Sequence, residues 1–223
     1  MISAWLAFWV ASWVVAAQFA DRIPRSSRDD ENGTMVVTQL LTATLRSLFV
    51  GAGACVFAND MAVLYQCAYA FFAYEVVDLL IGACYKLHTT EMYFHHVLHI
   101  VAGSIVWYYN LEELAGPLMR QEMSSIALNA FSYTRNRCPS AVSDGAFVCF
   151  ALLFYVFRLG GGTLASVRFY RSGTHPLLGH LVLVAAALQW WWGKTITVKL
   201  VGGLRRVFVP GAPGEASSGE KGK

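Results

Sequence analysis

Long apolar stretches are the feature that most limits what this chain of 223 residues can fold into. A helix needs about 20 residues to cross ~30 Å of hydrocarbon, and seven stretches reach or approach that length. They comprise residues 2–20, 35–57, 63–84, 93–110, 114–133, 146–167 and 177–200. We therefore predict an all-α fold, a polytopic membrane helical bundle of about seven transmembrane helices.

The fifth stretch is interrupted by Pro117, Arg120 and Glu122. A bundle of six full spans, in which this segment enters and leaves the membrane on the same side, is therefore the alternative. The first stretch has no basic residue before Arg22, so it lacks the charged start of a secretory signal and is predicted to be a retained helix.

The composition agrees with a membrane protein. Charged residues make up 14% of the chain, whereas soluble domains contain about 25%, which argues against a disordered chain and a typical soluble enzyme. The net charge of +3 is small and its basic residues are scattered, so a nucleic-acid partner is not expected. We expect membrane lipids as partners, and the oligomeric state stays open.

Basic residues predict the orientation, because they accumulate on the cytosolic side of short loops. With seven spans, one side holds ten of them: Arg22, Arg25, Arg28, Lys86, Arg135, Arg137, Arg205, Arg206, Lys221 and Lys223. The other side holds Arg120, Arg168 and Arg171. The N-terminus is thus predicted to be lumenal or exterior and the C-terminus cytosolic.

Three regions are predicted along the chain. Residues 1–34 form an N-terminal transmembrane helix and a charged loop, residues 35–200 form the main membrane domain, and residues 201–223 form a basic, then flexible, cytosolic tail. Trp5, Trp9 and Trp13 recur every four residues on the first helix, a pattern typical of an anchoring belt at the membrane interface.

Ionisable residues inside the spans are the strongest functional signal. Each costs about 2.5 to 3.5 kcal/mol at a span centre, so it must face a bundle interior or a wet cavity. The ionisable set is Arg46, Glu75, Asp78, His95, His96, His99, Glu122 and Arg158, and Thr38, Gln39, Thr42, Ser125 and Asn129 are polar residues on the same helices.

Helical spacing concentrates these groups on narrow faces. At about 100° per residue, the three histidines lie on one side of the fourth helix, and Glu75 and Asp78 lie about 60° apart on the third. We expect these faces to meet around a common polar cavity in which two arginines compensate three carboxylates. The alternative is that the charges only hold the helices together.

Five ordered motifs carry a resemblance to a known family: AYEVVDLL at Ala73 to Leu80, FHHVLHI at Phe94 to Ile100, QEMSSIALN at Gln121 to Asn129, FRLGGG with Arg158, and LQWWWGK with Lys194. Together they resemble the TLC domain family, over residues 35 to 200. The resemblance implies a helical membrane barrel around a lipid-accessible cavity, commonly in the endoplasmic reticulum. It also implies that the paired histidines, His95 and His96, face that cavity.

The resemblance is nearer to the small TLC domain-containing proteins than to the ceramide synthases. Where those synthases carry H-D-x-S-D, this chain has Gln121 to Ser125, which keeps one acid, Glu122. The histidine and the second aspartate of that motif are absent here, which puts ceramide synthesis in doubt.

Two functions follow. The first is acyl transfer or acyl remodelling of a membrane lipid, with His95 or His96 as base or acyl carrier and Asp78 or Glu122 orienting the imidazole. Glu75, His99, Ser125, Asn129, Arg46 and Arg158 are then expected to line the substrate cavity. The second is a non-catalytic lipid-sensing, chaperoning or structural protein, so whether the chain is an enzyme stays open.

No bound cofactor is expected, and acyl-CoA is the expected co-substrate of an acyl transfer. The chain contains no P-loop, no dinucleotide fingerprint and no G-x-S-x-G motif. Membrane di-iron enzymes use more histidines than the six in this chain, and two of those lie far from the others. We therefore expect no metal site.

Overall fold

The structure is a computed structural model that describes residues 1–20, 22–23, 33–109, 114–135 and 137–208. Within these residues all regular secondary structure is helical, which confirms the predicted fold class. Seven helices follow one another in the described part: α1 Ile2–Ala20, α2 Gly33–Val56, α3 Met61–Tyr85, α4 Thr90–Tyr108, α5 residues 115–134, α6 Ser140–Ser172 and α7 Pro176–Phe208.

Five of these helices, α1, α2, α3, α6 and α7, are long and apolar enough to cross a membrane. The chain is therefore an integral membrane protein. Helix α4 is 19 residues long, carries Glu91 and contains three histidines. Helix α5 consists of a short α-helix, a 3-10 turn at Arg120–Glu122 and a second α-helix, Met123–Thr134. Whether six or seven helices cross the bilayer stays a prediction.

Most of the loop predicted to end residues 1–34, and the tail from Val209 onward, lie outside the described residues. The basic residues Arg25, Arg28, Lys221 and Lys223, on which part of the orientation depends, fall there, and the side chains of Arg205 and Arg206 are not described either.

Helix α1 packs into the bundle instead of serving only as a membrane anchor. Trp9 and Trp13 are buried against Val50 of α2 and Tyr74 of α3, and Trp9 Nε1 donates a hydrogen bond of 2.8 Å to the carbonyl of Ala70. The prediction of an anchoring belt is therefore wrong for Trp9 and Trp13. An indole N–H buried in a bundle needs an acceptor, and the backbone of α3 supplies one for Trp9.

The turn between α3 and α4 is tightly defined. Lys86 ends α3 in a left-handed conformation with φ of 54°. Thr89 begins α4, and its side chain accepts a hydrogen bond from the Met92 N–H at 3.4 Å. Residues in the left-handed conformation commonly end helices and change the direction of the chain. Lys86 does so here, and His88, two residues later, turns back toward α3.

Two helices widen into π-helical segments, at Leu48–Ala52 in α2 and at Phe154–Gly162 in α6. Both lie against α5. A side chain at Gly51 would place its Cβ 2.7 Å from the backbone nitrogen of Met123, and one at Gly162 would meet Gln121 at 2.7 Å. These glycines permit the close approach that brings polar groups of three helices together.

Candidate functional site

The polar faces of helices α2 to α6 converge in the bundle interior, as their spacing predicted. Arg46, Glu75, Asp78, His95, His96, Glu122, Ser125, Asn129 and Arg158 are all buried, with at most 9% of each residue exposed. His99 is more open, since 22% of its side chain is exposed.

Arg46 on α2 joins two carboxylates from different helices. Its Nη1 lies 2.7 Å from Oε1 of Glu75 on α3, and its Nη2 lies 2.6 Å from Oε2 of Glu122 on α5. The guanidinium also lies over the ring of Tyr74, 4.7 Å from its centroid. Because a buried charge is tolerated only when paired, this arginine ties α2, α3 and α5 together.

Arg158, in the π-helical segment of α6, binds the start of the second α-helix of α5, Met123–Thr134. Its Nε donates to Oγ of Ser124 at 2.7 Å, its Nη2 donates to Oγ of Ser125 at 2.7 Å, and Nη2 lies 3.3 Å from Oε1 of Glu122. Glu122 is therefore bound by both Arg46 and Arg158. A π-helical segment is often found where a helix must aim a functional side chain, and Arg158 lies in one.

His96 on α4 bridges the two acids of α3. Its Nδ1 lies 2.5 Å from Oε2 of Glu75, and its Nε2 lies 3.1 Å from Oδ2 of Asp78. The same Glu75 oxygen lies 3.5 Å from Nδ1 of His99. The ring of His95 lies 3.9 Å from the ring of His99, centroid to centroid. All three histidines thus belong to one cluster, and Glu75 connects it to Arg46.

Sequence reasoning missed His88, which lies in the turn between α3 and α4. Its Nε2 is 3.3 Å from Oδ2 of Asp78, and only 2% of its side chain is exposed. The ring occupies the space left by Gly82, where a Cβ would lie 2.1 Å from it. A histidine in a polar turn resembles an ordinary loop residue. The one available signal was its place in a short connection between two helices that both carry ionisable residues.

Gln39 on α2 completes the surroundings of Asp78. Its Nε2 donates to Oδ1 of Asp78 at 3.2 Å and lies 3.4 Å from Nδ1 of His88. The structure thus adds Gln39 and His88 to the contacts of Asp78.

A cavity of about 140 Å³ lies beside the cluster, bounded mainly by apolar side chains of α3, α4 and α7. Its polar wall is formed by His99, Gln121, Glu122, Arg158, Ser166 and Gln189. Among the predicted site residues, His99, Glu122 and Arg158 therefore line the cavity. Glu75, Asp78, His95, His96, Arg46, Ser125 and Asn129 lie outside its lining, in the packed part of the bundle.

Among the described residues, two groups of side chains bring potential metal ligands close together. One is Glu75, His95 and His99, and the other is Asp78, His88 and His96; within each group the ligand atoms lie within 4.8 Å of one another. Metal ligation is one chemistry open to this cluster, and proton transfer by a cavity-lining imidazole is the other.

These features define a class of protein: a multi-pass helical membrane protein whose interior joins an ionised cluster to an apolar cavity. The sequence matches the TLC domain family over residues 33–198, which is most of the chain. The protein belongs to the TLC domain family, as the motifs predicted. A comparison with curated proteins finds no match, and a comparison with solved structures finds none either.

The matched region begins at the first residue of α2 and ends within α7. Helix α1 precedes it, although its tryptophans pack against α2 and α3. All of the cluster and cavity residues named above lie inside the matched region. Membership of the TLC domain family indicates a membrane protein with a lipid-related function.

Proposed function

We propose that the protein binds a membrane lipid in the cavity and transfers an acyl group to it, with acyl-CoA as donor. The observation that carries this proposal is the composition of the cavity wall. Apolar side chains suited to an acyl chain meet an imidazole, a carboxylate and a guanidinium, namely His99, Glu122 and Arg158. Binding sites for small molecules commonly combine an apolar lining with a few convergent polar groups.

His99 is the residue we assign to the reacting atoms, since it is the histidine of the cluster that lines the cavity. The lipid hydroxyl or amine gives its proton to the unprotonated ring nitrogen of His99 while its oxygen or nitrogen bonds to the thioester carbonyl carbon. The carbon–sulfur bond then breaks, and the imidazolium returns the proton to the departing thiolate. A second route, in which a histidine first carries the acyl group, uses the same donor.

The other predicted catalytic residues become positioning residues in this proposal. His95 packs on the ring of His99, while His96 and Asp78 contact each other behind it. Glu122 lines the cavity and is held by two arginines, which suits it to orient a polar group of the lipid. This assignment moves the role of base from His95 or His96 to the histidine that is accessible.

A non-catalytic function in lipid sensing, chaperoning or structure is the second candidate. One observation favours it: Glu75 and Glu122 are both ion-paired with arginine in the described structure. Acids held in this way stabilise the bundle and are poor proton acceptors. In this alternative the cavity holds a lipid without changing it.

The two functions are separated by one assay. The purified protein is placed in liposomes containing diacylglycerol and a sphingoid base, and labelled palmitoyl-CoA is added. We expect label in a lipid product and release of free CoA, with at least a roughly 100-fold loss in His99→Ala, the usual range for removal of a general base. The control His180→Ala alters an exposed histidine of α7 outside the cluster and should keep full activity.

Absence of transfer by well-folded wild-type protein would contradict the enzymatic proposal. Mass spectrometry of lipids that co-purify with the wild type and with His99→Ala then tests the second candidate. A lipid retained by the wild type in the absence of transfer supports a lipid-holding function.

We also infer that the protein resides in the endoplasmic reticulum membrane with a lumenal N-terminus and a cytosolic C-terminus. Family membership supports the compartment, and the distribution of basic residues supports the orientation. Glycosylation acceptor sites fused separately to each end test it. Modification of the N-terminal site alone is expected, and modification of both ends would require an even number of spans.

A further inference from the structure

We propose that Asp78, His88 and His96 bind a single divalent metal ion, with zinc as the best match. The three side chains come from α3, from the turn after it and from α4, so the ion would join three successive segments of the chain. This inference does not depend on the proposed function, because metal binding is measured without any lipid or acyl donor.

The distances suit a shared ion. Oδ2 of Asp78 lies 3.1 Å from Nε2 of His96 and 3.3 Å from Nε2 of His88. With zinc–ligand bonds of about 2.0 to 2.2 Å, two ligands of a tetrahedral site are roughly 3.3 to 3.5 Å apart. The three ligand atoms lie within 4.8 Å of one another, so small side-chain movements bring them to one centre.

The contacts of His96 direct its second ring nitrogen at Asp78. Its Nδ1 is bound to Glu75 at 2.5 Å, whereas its buried Nε2 lies 3.1 Å from Oδ2 of Asp78 without forming a well-aligned hydrogen bond in the described structure. A carboxylate on the far nitrogen is the usual support of a metal-binding histidine, because it fixes the tautomer that presents the other nitrogen. This Nε2 therefore lies close to the ligand atoms of both Asp78 and His88.

His88 occupies a place built for its ring. Gly82 leaves the space for it, Tyr93 packs edge-on against it with the centroids 5.3 Å apart, and the Tyr93 hydroxyl donates to the carbonyl of Gly82 at 3.1 Å. Nε2 of His88 lies 3.1 Å from the carbonyl oxygen of Asp78. Metal binding would displace the proton from this nitrogen, since ligand histidines must be neutral.

The charges also favour this group over the neighbouring one. The described cluster contains three carboxylates, Glu75, Asp78 and Glu122, and two guanidiniums. Both guanidiniums bind glutamates, and in the described residues neither forms an ion pair with Asp78. A cation at Asp78 would compensate the remaining negative charge. The group of Glu75, His95 and His99 already has Arg46 on its carboxylate, which opposes a second cation.

This proposal revises the sequence-based expectation of no metal. That expectation came from the number of histidines needed for two iron ions. A single zinc ion needs three protein ligands and accepts a water as the fourth. One of the three ligands, His88, was not recognised from the sequence.

The test measures metal in the full-length protein, purified in detergent through an affinity tag without histidines and without chelators. Elemental analysis should find about one zinc ion per chain in the wild type, as three ligands in one site require. His88→Ala and His96→Ala should lose it, whereas the matched controls His99→Ala and His180→Ala should keep it. A wild-type protein without stoichiometric metal overturns the proposal, and so does loss in His99→Ala with retention in His88→Ala.

A second measurement covers the case in which a variant does not fold. Wild-type protein stripped of metal is titrated with Co²⁺, which absorbs visible light strongly when four ligands surround it. Saturation of this absorption at about one ion per chain, and its loss on adding zinc, supports the site. Absence of the absorption in folded protein overturns it.

Discussion

Two histidine groups meet at the same oxygen of Glu75 and differ in their access to the cavity. The closed group, Asp78, His88 and His96, is enclosed by packed side chains, with 4% or less of each side chain exposed. The open group, Glu75, His95 and His99, includes a histidine on the cavity wall. Both groups take their members from helices α3 and α4, with His88 added from the turn between them.

This difference shows that whether a histidine of α4 reaches the cavity depends on its angular position on the helix and not on its residue type. His96 and His99 are three positions apart on α4, and both contact the same oxygen of Glu75. A rotation of about 60° separates them on the helix, which is enough for one to face a neighbouring helix and the other the cavity. We therefore assign a supporting role to the closed group and contact with the substrate to His99 of the open group.

Removal of Arg46, which binds the glutamate where the two groups meet, should have the largest effect on stability. Arg46→Leu leaves Glu75 and Glu122 without their shared cation, and breaking a buried ion pair costs about 3 to 5 kcal/mol. Thermal unfolding in detergent should show a large loss of stability or of folded yield. The control Arg171→Leu alters an exposed arginine and should leave stability near that of the wild type. Equal unfolding temperatures would refute the pairing.

The next prediction compares one histidine from each group. His96→Leu removes the partner of two buried carboxylates, and each unsatisfied buried group costs about 1 to 3 kcal/mol. His99→Leu affects a partly exposed side chain whose Nδ1 lies at the longer distance of 3.5 Å from Oε2 of Glu75, so we expect a smaller change, below about 1 kcal/mol. Chemical or thermal unfolding of both variants measures the difference. A larger loss in His99→Leu would contradict the division into closed and open groups.

The smallest effect on stability is expected when a single methyl group is added beside the closed group. Gly82→Ala would place a Cβ 2.1 Å from the His88 ring, and forced overpacking costs about 1 to 3 kcal/mol. The matched control is Gly145→Ala, where no atom lies within 4 Å and a helix gains up to ~1 kcal/mol from alanine. Unfolding of the two variants should move in opposite directions. A Gly82→Ala variant as stable as the wild type would indicate that His88 does not occupy this space.

Much of the site could be predicted from particular residues. The cost of burying Arg46, Glu75, Glu122 and Arg158 required them to meet, and the structure pairs them. The pattern did not reveal which arginine meets which acid. Arg46 binds both glutamates because the π-helical segment that follows it lets α2 approach α5 at Gly51. Close approach of this kind depends on backbone geometry that residue spacing does not contain.

Trp9 on α1 and His88 after α3 are residues whose positions could not be predicted from the sequence. Trp9 was predicted at the interface because its residue type favours that depth, yet its acceptor is a backbone carbonyl of α3. His88 was overlooked because a polar turn normally faces water. Its burial follows from the left-handed Lys86 and from the absence of a side chain at Gly82. Neither feature indicates a buried histidine until the turn is known to fold back against α3.

The sequence by itself determined that this protein is a helical membrane bundle and which ionisable side chains had to lie inside it. Both conclusions follow from the free energy of placing each residue in hydrocarbon, which depends on residue type and on position along a helix. Only the tertiary structure decided the partners of each charge, the place of His88 and the choice of His99 for the cavity wall. Those outcomes depend on the rotation and separation of neighbouring helices, which many weak packing contacts set together.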